Sequence, residues 1–285
     1  MILQIISNIA PYKLIYLPVA CSLFTLLVIY FLKGTFMDLS GKHAVVTGGA
    51  TGIGLAITKA LSKNGAMVTI MGRNKTRLDE IADTLENINT VQVDLTDPNS
   101  VEVAFKEASG IASISILVNN AGAALAAPFH KTSLEAWQNT LNINLTSIYL
   151  TTSATLNEIK TSEHGRIINI ASIAGLEGAA YTTAYCASKH GVIGLTRALA
   201  CELTKTQATI NAICPGFTNT DIVTDAVNNI MAKTGRTAED ALNDILVSVN
   251  QNRMIEPSEI ADEVLKLCDP NSDAINGQAI VIDGK

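Results

Sequence analysis

From residue 42 onward, short runs of β-branched and other apolar residues alternate with stretches whose apolar positions recur at helical spacing. The first kind reads as strands over residues 43–47, 67–71, 90–93, 115–118, 166–170, 209–213 and 279–282. The second reads as helices over residues 54–64, 75–85, 98–109, 134–158 (as two helices), 185–203 and 257–268. Regular alternation of strand and helix calls for crossover connections and a parallel sheet. The expected fold is α/β, a Rossmann-like doubly wound parallel seven-stranded sheet flanked by helices. One excursion interrupts the alternation. Helical runs over residues 221–233 and 238–249 predict a small helical lid, about residues 217–253, over the carboxyl ends of the strands where open α/β sheets take their ligands.

The first 36 residues follow a different pattern. Leu14 to Leu32 is a stretch of nineteen positions without a charge, long enough as a helix to cross the hydrocarbon layer. It is a candidate transmembrane anchor for a cytoplasmic catalytic domain over residues 37–285. Lys13 stands on one side of it and Lys33, Asp38 and Lys42 on the other, so charge counting leaves the orientation open. A second reading starts the protein at Met37. Lys33-Gly34 requires purine-rich codons resembling a bacterial ribosome-binding site, and residues 1–36 are then translated upstream DNA. A membrane is a partner only under the first reading.

Composition narrows the function classes. The chain has 285 residues, 48% hydrophobic and 16% charged, which excludes a disordered or collagen-like protein and leaves a sizeable core. Lys and Arg number 20 against 26 Asp and Glu, with no basic run, so no nucleic-acid partner is expected. The five cysteines are scattered with no C-x-x-C pair, and the four histidines fall at no ligand spacing. Neither a disulfide framework nor a metal site is expected, and reduced thiols fit the cytoplasm.

Between the first strand and the first helix lies Thr47-Gly48-Gly49-Ala50-Thr51-Gly52-Ile53-Gly54. Glycines at such a turn let backbone approach a pyrophosphate, and the helix N-terminus offers free N–H groups and a favourable dipole. This TGxxxGxG spacing is followed in order by Asn119-Asn120-Ala121-Gly122, Tyr185-x-x-x-Lys189 and Pro215-Gly216. Together they resemble the short-chain dehydrogenase/reductase family over residues 39–285, including the ending Val281-Ile282-Asp283-Gly284. The resemblance implies a nicotinamide dinucleotide on Thr47, Gly48, Gly52, Ile53 and Gly54, with Asp94 and Leu95 at the adenine. It implies Asn119, Ala121 and Gly122 under the cofactor, with Asn119 also tying strand ends together. Pro215, Gly216 and Thr220 are then expected over the nicotinamide, and Lys189 beside its ribose next to Tyr185. At the end of the second strand Gly72 stands where an acidic side chain would accept the ribose 2′-OH, and Arg73 follows it. A guanidinium beside a missing carboxylate favours NADP over NAD.

Tyr185 and Lys189, four apart on a predicted helix, share one face. An ammonium beside a phenol is expected to lower the tyrosine pKa from about 10 toward working pH. The resemblance implies that Tyr185 donates the proton, Ser172 holds the substrate oxygen and Asn144 supports a proton relay to Lys189. The chain is similar to 3-oxoacyl-ACP and acetoacetyl-CoA reductases. It also shares Lys189-His190-Gly191-Val192 with 3-hydroxybutyrate dehydrogenases, which hold a free carboxylate with polar side chains where this chain has Ala124 and Ala174. A buried carboxylate without partners is costly. The expected reaction is therefore reduction of a 3-oxoacyl thioester, on a small molecule or an acyl carrier. The alternatives are a 3-hydroxybutyrate-type or other secondary-alcohol dehydrogenase, and a catalytically silent nucleotide-sensing scaffold, against which intact Ser172, Tyr185 and Lys189 speak. The resemblance further implies a homotetramer or homodimer paired through the helices at residues 144–158 and 185–203.

Overall fold

In the computed structural model, which describes residues 37–285 apart from Val249, the run His43–Thr47 is buried at every position and forms β1 inside the sheet. β2 (Met67–Gly72) and β3 (Ile88–Gln92) extend the sheet on one side of it. β4 (Ile114–Asn119), β5 (Arg166–Ile170), β6 (Thr209–Pro215) and β7 (Ala279–Ile282) extend it on the other. The strand order is β3-β2-β1-β4-β5-β6-β7 and every pairing is parallel. The direction of winding reverses between β1 and β4, which opens a crevice at their carboxyl ends.

Nine α-helices are described: α1 (Gly52–Lys63), α2 (Lys75–Ala82), α3 (Pro98–Ile111), α4 (Leu134–Leu141), α5 (Ser147–Thr161), α6 (Thr183–Leu203), α7 (Asp221–Thr234), α8 (Ala238–Ser248) and α9 (Pro257–Cys268). Val101, Phe105 and Ala108 of α3, Ile159 of α5 and Leu203 of α6 close over Val45, Leu117, Ile167 and Ile210 of the sheet. α9 packs against α1. Leu195 and Leu199 of α6 pack against that same core cluster and Ala200 lies within it. Residues Leu39–Lys285 form one unit, whereas the unit Met1–Asp38 lies outside the described residues except for its last two. The apolar segment 14–32 falls there, and among the described residues no helix is long and apolar enough to cross a membrane.

Most boundaries fall within one to three residues of the sequence pattern, and three of the differences bear on the site or the sheet edge. β3 begins two residues early at Ile88 because Asn87, at φ +58°, turns the chain into register with Val68. Its polar Asn89 and Gln92 had hidden an edge strand. The region 134–158 splits into α4, a π-helical turn at Asn142–Thr146, and α5, which runs on to Thr161. Such turns inside helices recur at functional sites. α6 starts at Thr183, ahead of Tyr185, which places that tyrosine in the first turn.

The excursion over residues 217–253 forms α7 and α8 and buries Val223, Ala241 and Ile245. Its base is fastened by Gln251, a 95%-covered side chain that accepts the Phe217 N–H (2.9 Å) and donates to the carbonyls of Phe217 (2.8 Å) and Arg253 (2.6 Å). A parallel bridge between Thr218 and Ile255 zips the same ends together.

Candidate active site

The turn from β1 into α1 is held by crossed hydrogen bonds from the end of β4. Thr47 Oγ1 accepts the backbone N–H groups of Asn120 (3.0 Å) and Ala121 (3.1 Å), while Asn120 Nδ2 donates to the carbonyls of Thr47 (2.9 Å) and Gly48 (3.2 Å). Gly48 sits at φ +65°, a conformation a side chain rarely adopts. A Cβ on Gly54 would stand 2.1 Å from the Gly48 carbonyl oxygen and 2.5 Å from Asn120 Nδ2, so only glycine lets α1 begin this close to the turn. Thr51, the N-cap, makes no side-chain cap. The first N–H groups of α1 are thus left for an anion. Thr220, the N-cap of α7, reaches the same turn, its Cγ2 3.3 Å from where a Cβ on Gly52 would lie.

The predicted proton-transfer residues converge at the carboxyl end of the sheet. Lys189 is buried and its Nζ donates to the Ile170 carbonyl (2.8 Å), lying 5.7 Å from the centre of the Tyr185 ring. It also sits 3.8 Å from where a Cβ on Gly122 would project. Asn144, wholly buried in the π turn, donates from Nδ2 to the Ala123 (2.8 Å) and Thr140 (3.0 Å) carbonyls and accepts the Ala123 N–H (3.0 Å). Its side chain thereby fastens the loop that follows Gly122. Ser172 Oγ accepts the Ala174 N–H (3.1 Å) and is also hydrogen-bonded to Tyr185, so the serine and the phenol face the same point of the cleft.

The expected electrostatics need correcting. Burial raises the Tyr185 phenol above its ordinary value, and a hydrogen bond with Ser172 opposes this. The cause is mutual: the same enclosure drives the Lys189 ammonium down to about 8. The pair therefore holds a phenol that stays protonated at neutral pH.

The remaining predicted residues take separate places. Asn119 is buried, its amide donating to Asn169 Oδ1 (2.9 Å) and its oxygen accepting from Thr151 (2.7 Å), so its side chain ties β4 to β5 and α5. Asp94 accepts the side chain (2.7 Å) and backbone N–H (2.9 Å) of Thr96, contacts that hold its carboxyl below the usual range, and Leu95 beside it is buried. Arg73 is exposed and lines, with Gln92, Val93, Asp94 and Ser100, a groove of about 440 Å³ at the ends of β2 and β3. Gly216 lies against Gln251, a residue that no motif had marked. Asn120 was legible only as part of its motif. Its place directly after Asn119 at the end of β4 is the signal that one amide faces the core and the other the turn.

Residues 42–230 match the pattern that defines short chain dehydrogenases. The chain belongs to the short-chain dehydrogenase family. It is 35% identical over 250 residues to the 3-oxoacyl-acyl-carrier-protein reductase of Vibrio cholerae, covering 87% of this chain and 98% of that one. It is 32% identical over 253 residues to the D-beta-hydroxybutyrate dehydrogenase of Rhizobium meliloti, covering 85% and 97%. Among solved structures, a variant of actinorhodin polyketide ketoreductase determined with NADPH superposes with a TM-score of 0.81 at 31% identity, covering 85% of this chain and 96% of that one. Short-chain dehydrogenases are oxidoreductases that use a nicotinamide dinucleotide, and the cradle described above fits such a group. Its narrow glycine turn and uncapped α1 N-terminus leave backbone approach and donors for one. Among the described residues no cluster of three or more His, Cys, Asp or Glu side chains is arranged to hold a metal ion.

Proposed function

We propose that this short-chain dehydrogenase reduces the 3-oxo group of an acyl thioester, carried on coenzyme A or an acyl carrier protein, to the 3-hydroxy form. The observation that carries this reading is the meeting of Ser172, Tyr185 and Lys189 beside Gly122, at the same sheet edge as the glycine turn. The dinucleotide supplies the hydride when bound. Tyr185, held protonated by its burial, gives its proton to the substrate oxygen, and Ser172 donates a hydrogen bond to that same oxygen. Lys189 anchors the Tyr185 side of the cleft from below, and Asn144 fixes the loop under the reacting groups.

Similarity to a 3-oxoacyl reductase and a polyketide ketoreductase supports the thioester, and so do the apolar Ala124 and Ala174 at the cleft. The hydroxybutyrate dehydrogenase relative favours a second reading, a free 3-hydroxy acid as substrate. Purified full-length protein is expected to oxidise NADPH with acetoacetyl-CoA far faster than with acetoacetate. The reverse order, read as kcat/KM from the loss of absorbance at 340 nm, would favour the free acid, and no turnover with either would favour the silent scaffold.

We further infer NADP as the physiological form, with Arg73 facing the 2′-phosphate. A Cβ on Gly72 would meet only Leu78 Cδ2 at 3.7 Å, so a side chain fits there without strain. The double variant Gly72→Asp, Arg73→Ala is accordingly expected to fold normally and to shift the NADPH-to-NADH ratio of kcat/KM toward NADH by about 10²-fold or more, the size of a lost charge-assisted pair plus a new ribose contact. An unchanged ratio would remove Arg73 from the cofactor site.

A further inference from the structure

Among the described residues four other than glycine hold a positive φ, and three of them, Asn87, His164 and Asn250, are types that tolerate it. The fourth is Tyr181, at φ +66°. A bulky aromatic residue in this conformation carries backbone strain. Burial of its ring does not offset that strain, because the residue is 65% exposed. A side chain kept at a costly position without packing into the core points to a use outside the fold.

Its position suggests the use. Tyr181 lies on the segment that joins Ser172 to Tyr185, and its carbonyl accepts the Ala127 N–H at 2.7 Å. That bond ties it to the loop that continues from Gly122 through Ala124. The two loops flanking the reacting groups therefore meet at Tyr181, and each carries another exposed apolar side chain, Phe129 (71%) on one and Leu176 (38%) on the other. In the described residues no hydrogen bond is made by the Tyr181 hydroxyl.

We propose that Tyr181 is a specificity-determining residue, its ring forming the rim of the cleft against the part of the substrate beyond the reacting carbonyl and so favouring a thioester with its extended arm over a short ketone. This deepens the 3-oxoacyl thioester reading and rests on it. The strained backbone follows from the geometry: the chain must turn with a positive φ to bring the carbonyl to Ala127, and the ring then projects outward at the mouth. A glycine would satisfy the turn alone.

The test separates the turn from the ring. Each protein is assayed with acetoacetyl-CoA and with ethyl acetoacetate, which shares the reacting carbonyl but lacks the thioester arm. Tyr181→Gly is expected to raise Tm by about 2–4 °C through relief of strain. It is also expected to lower the acetoacetyl-CoA to ethyl acetoacetate ratio of kcat/KM by about tenfold, mainly through KM, as for loss of one apolar contact. Tyr181→Ala keeps the strain and should lose the same selectivity without the gain in Tm. Tyr181→Phe should keep the selectivity. A wild type that prefers the thioester while Tyr181→Gly and Tyr181→Ala leave the ratio unchanged overturns the inference alone. A wild type that reduces ethyl acetoacetate but not acetoacetyl-CoA overturns the thioester reading, and the inference with it.

Discussion

Tyr185→Phe is expected to lower kcat for carbonyl reduction by about 10²–10⁴-fold while leaving dinucleotide affinity nearly as in the wild type, the usual size of a lost general acid. The substitution removes one oxygen and keeps the ring, so the packing of α6 survives. The glycine turn is built by β1, β4 and α1, so binding of NADPH, followed by fluorescence titration, should not register the change. The same chemistry sets an expected pH dependence. Lys189 titrates at about 8, so it is charged below that value and neutral above it. Reductive kcat/KM should hold through neutrality and fall as pH rises past 8, where the buried ammonium beside Tyr185 loses its charge. A rate that survives in Tyr185→Phe would remove that residue as the proton donor, and a profile flat to pH 10 would detach Lys189 from the reaction.

Gly54→Ala should do comparable damage by a different route. The added methyl would lie 2.1 Å from the Gly48 carbonyl oxygen and 2.5 Å from Asn120 Nδ2, closer than any relaxed contact. Backbone lies on one side and a doubly bonded amide on the other, so neither neighbour yields easily. Overpacking of this kind costs about 1–3 kcal/mol or more. It would also push the α1 N-terminus away from the turn that must grip a diphosphate. A lower Tm by calorimetry together with a loss of NADPH affinity of at least about tenfold is expected, since a displaced set of charge-assisted N–H contacts is worth more than 1.4 kcal/mol. Gly110→Ala makes the control. A Cβ there meets nothing within 4 Å, inside α3, and the change should be neutral or add about 0.5–1 kcal/mol of stability. Wild-type binding by Gly54→Ala would mean that the turn relaxes at little cost.

Much of this architecture was readable in the chain because the sheet is parallel. A strand buried along its whole length, such as β1, appears as a short run with an apolar centre, and its boundaries agree. The edge strand β3 is less buried, carries Asn89 and Gln92, and takes its register from β2 rather than from its own pattern. The site was legible where chemistry depends on residue type at fixed spacing, as with Tyr185, Lys189 and the glycines. It was not legible where a backbone atom does the work. The Ile170 carbonyl that receives the Lys189 ammonium has no signature, since any residue offers a carbonyl. Nor does spacing reveal burial, and burial reversed the expected shift of the Tyr185 phenol. Asn119 shows a third limit: an amide beside a cofactor motif reads the same whether it faces a ligand or, as here, the side chains of Asn169 and Thr151.

The fastening of residues 216–253 by one amide has an evolutionary corollary. Gln251 clamps the departing and returning strands of that excursion at their root, while the proton-carrying groups are anchored separately through Ile170 and Ala123. Insertions or deletions beyond the clamp can therefore alter that excursion while the reacting constellation stays where it is. A lineage with this layout can vary the outer segment without disturbing its chemistry.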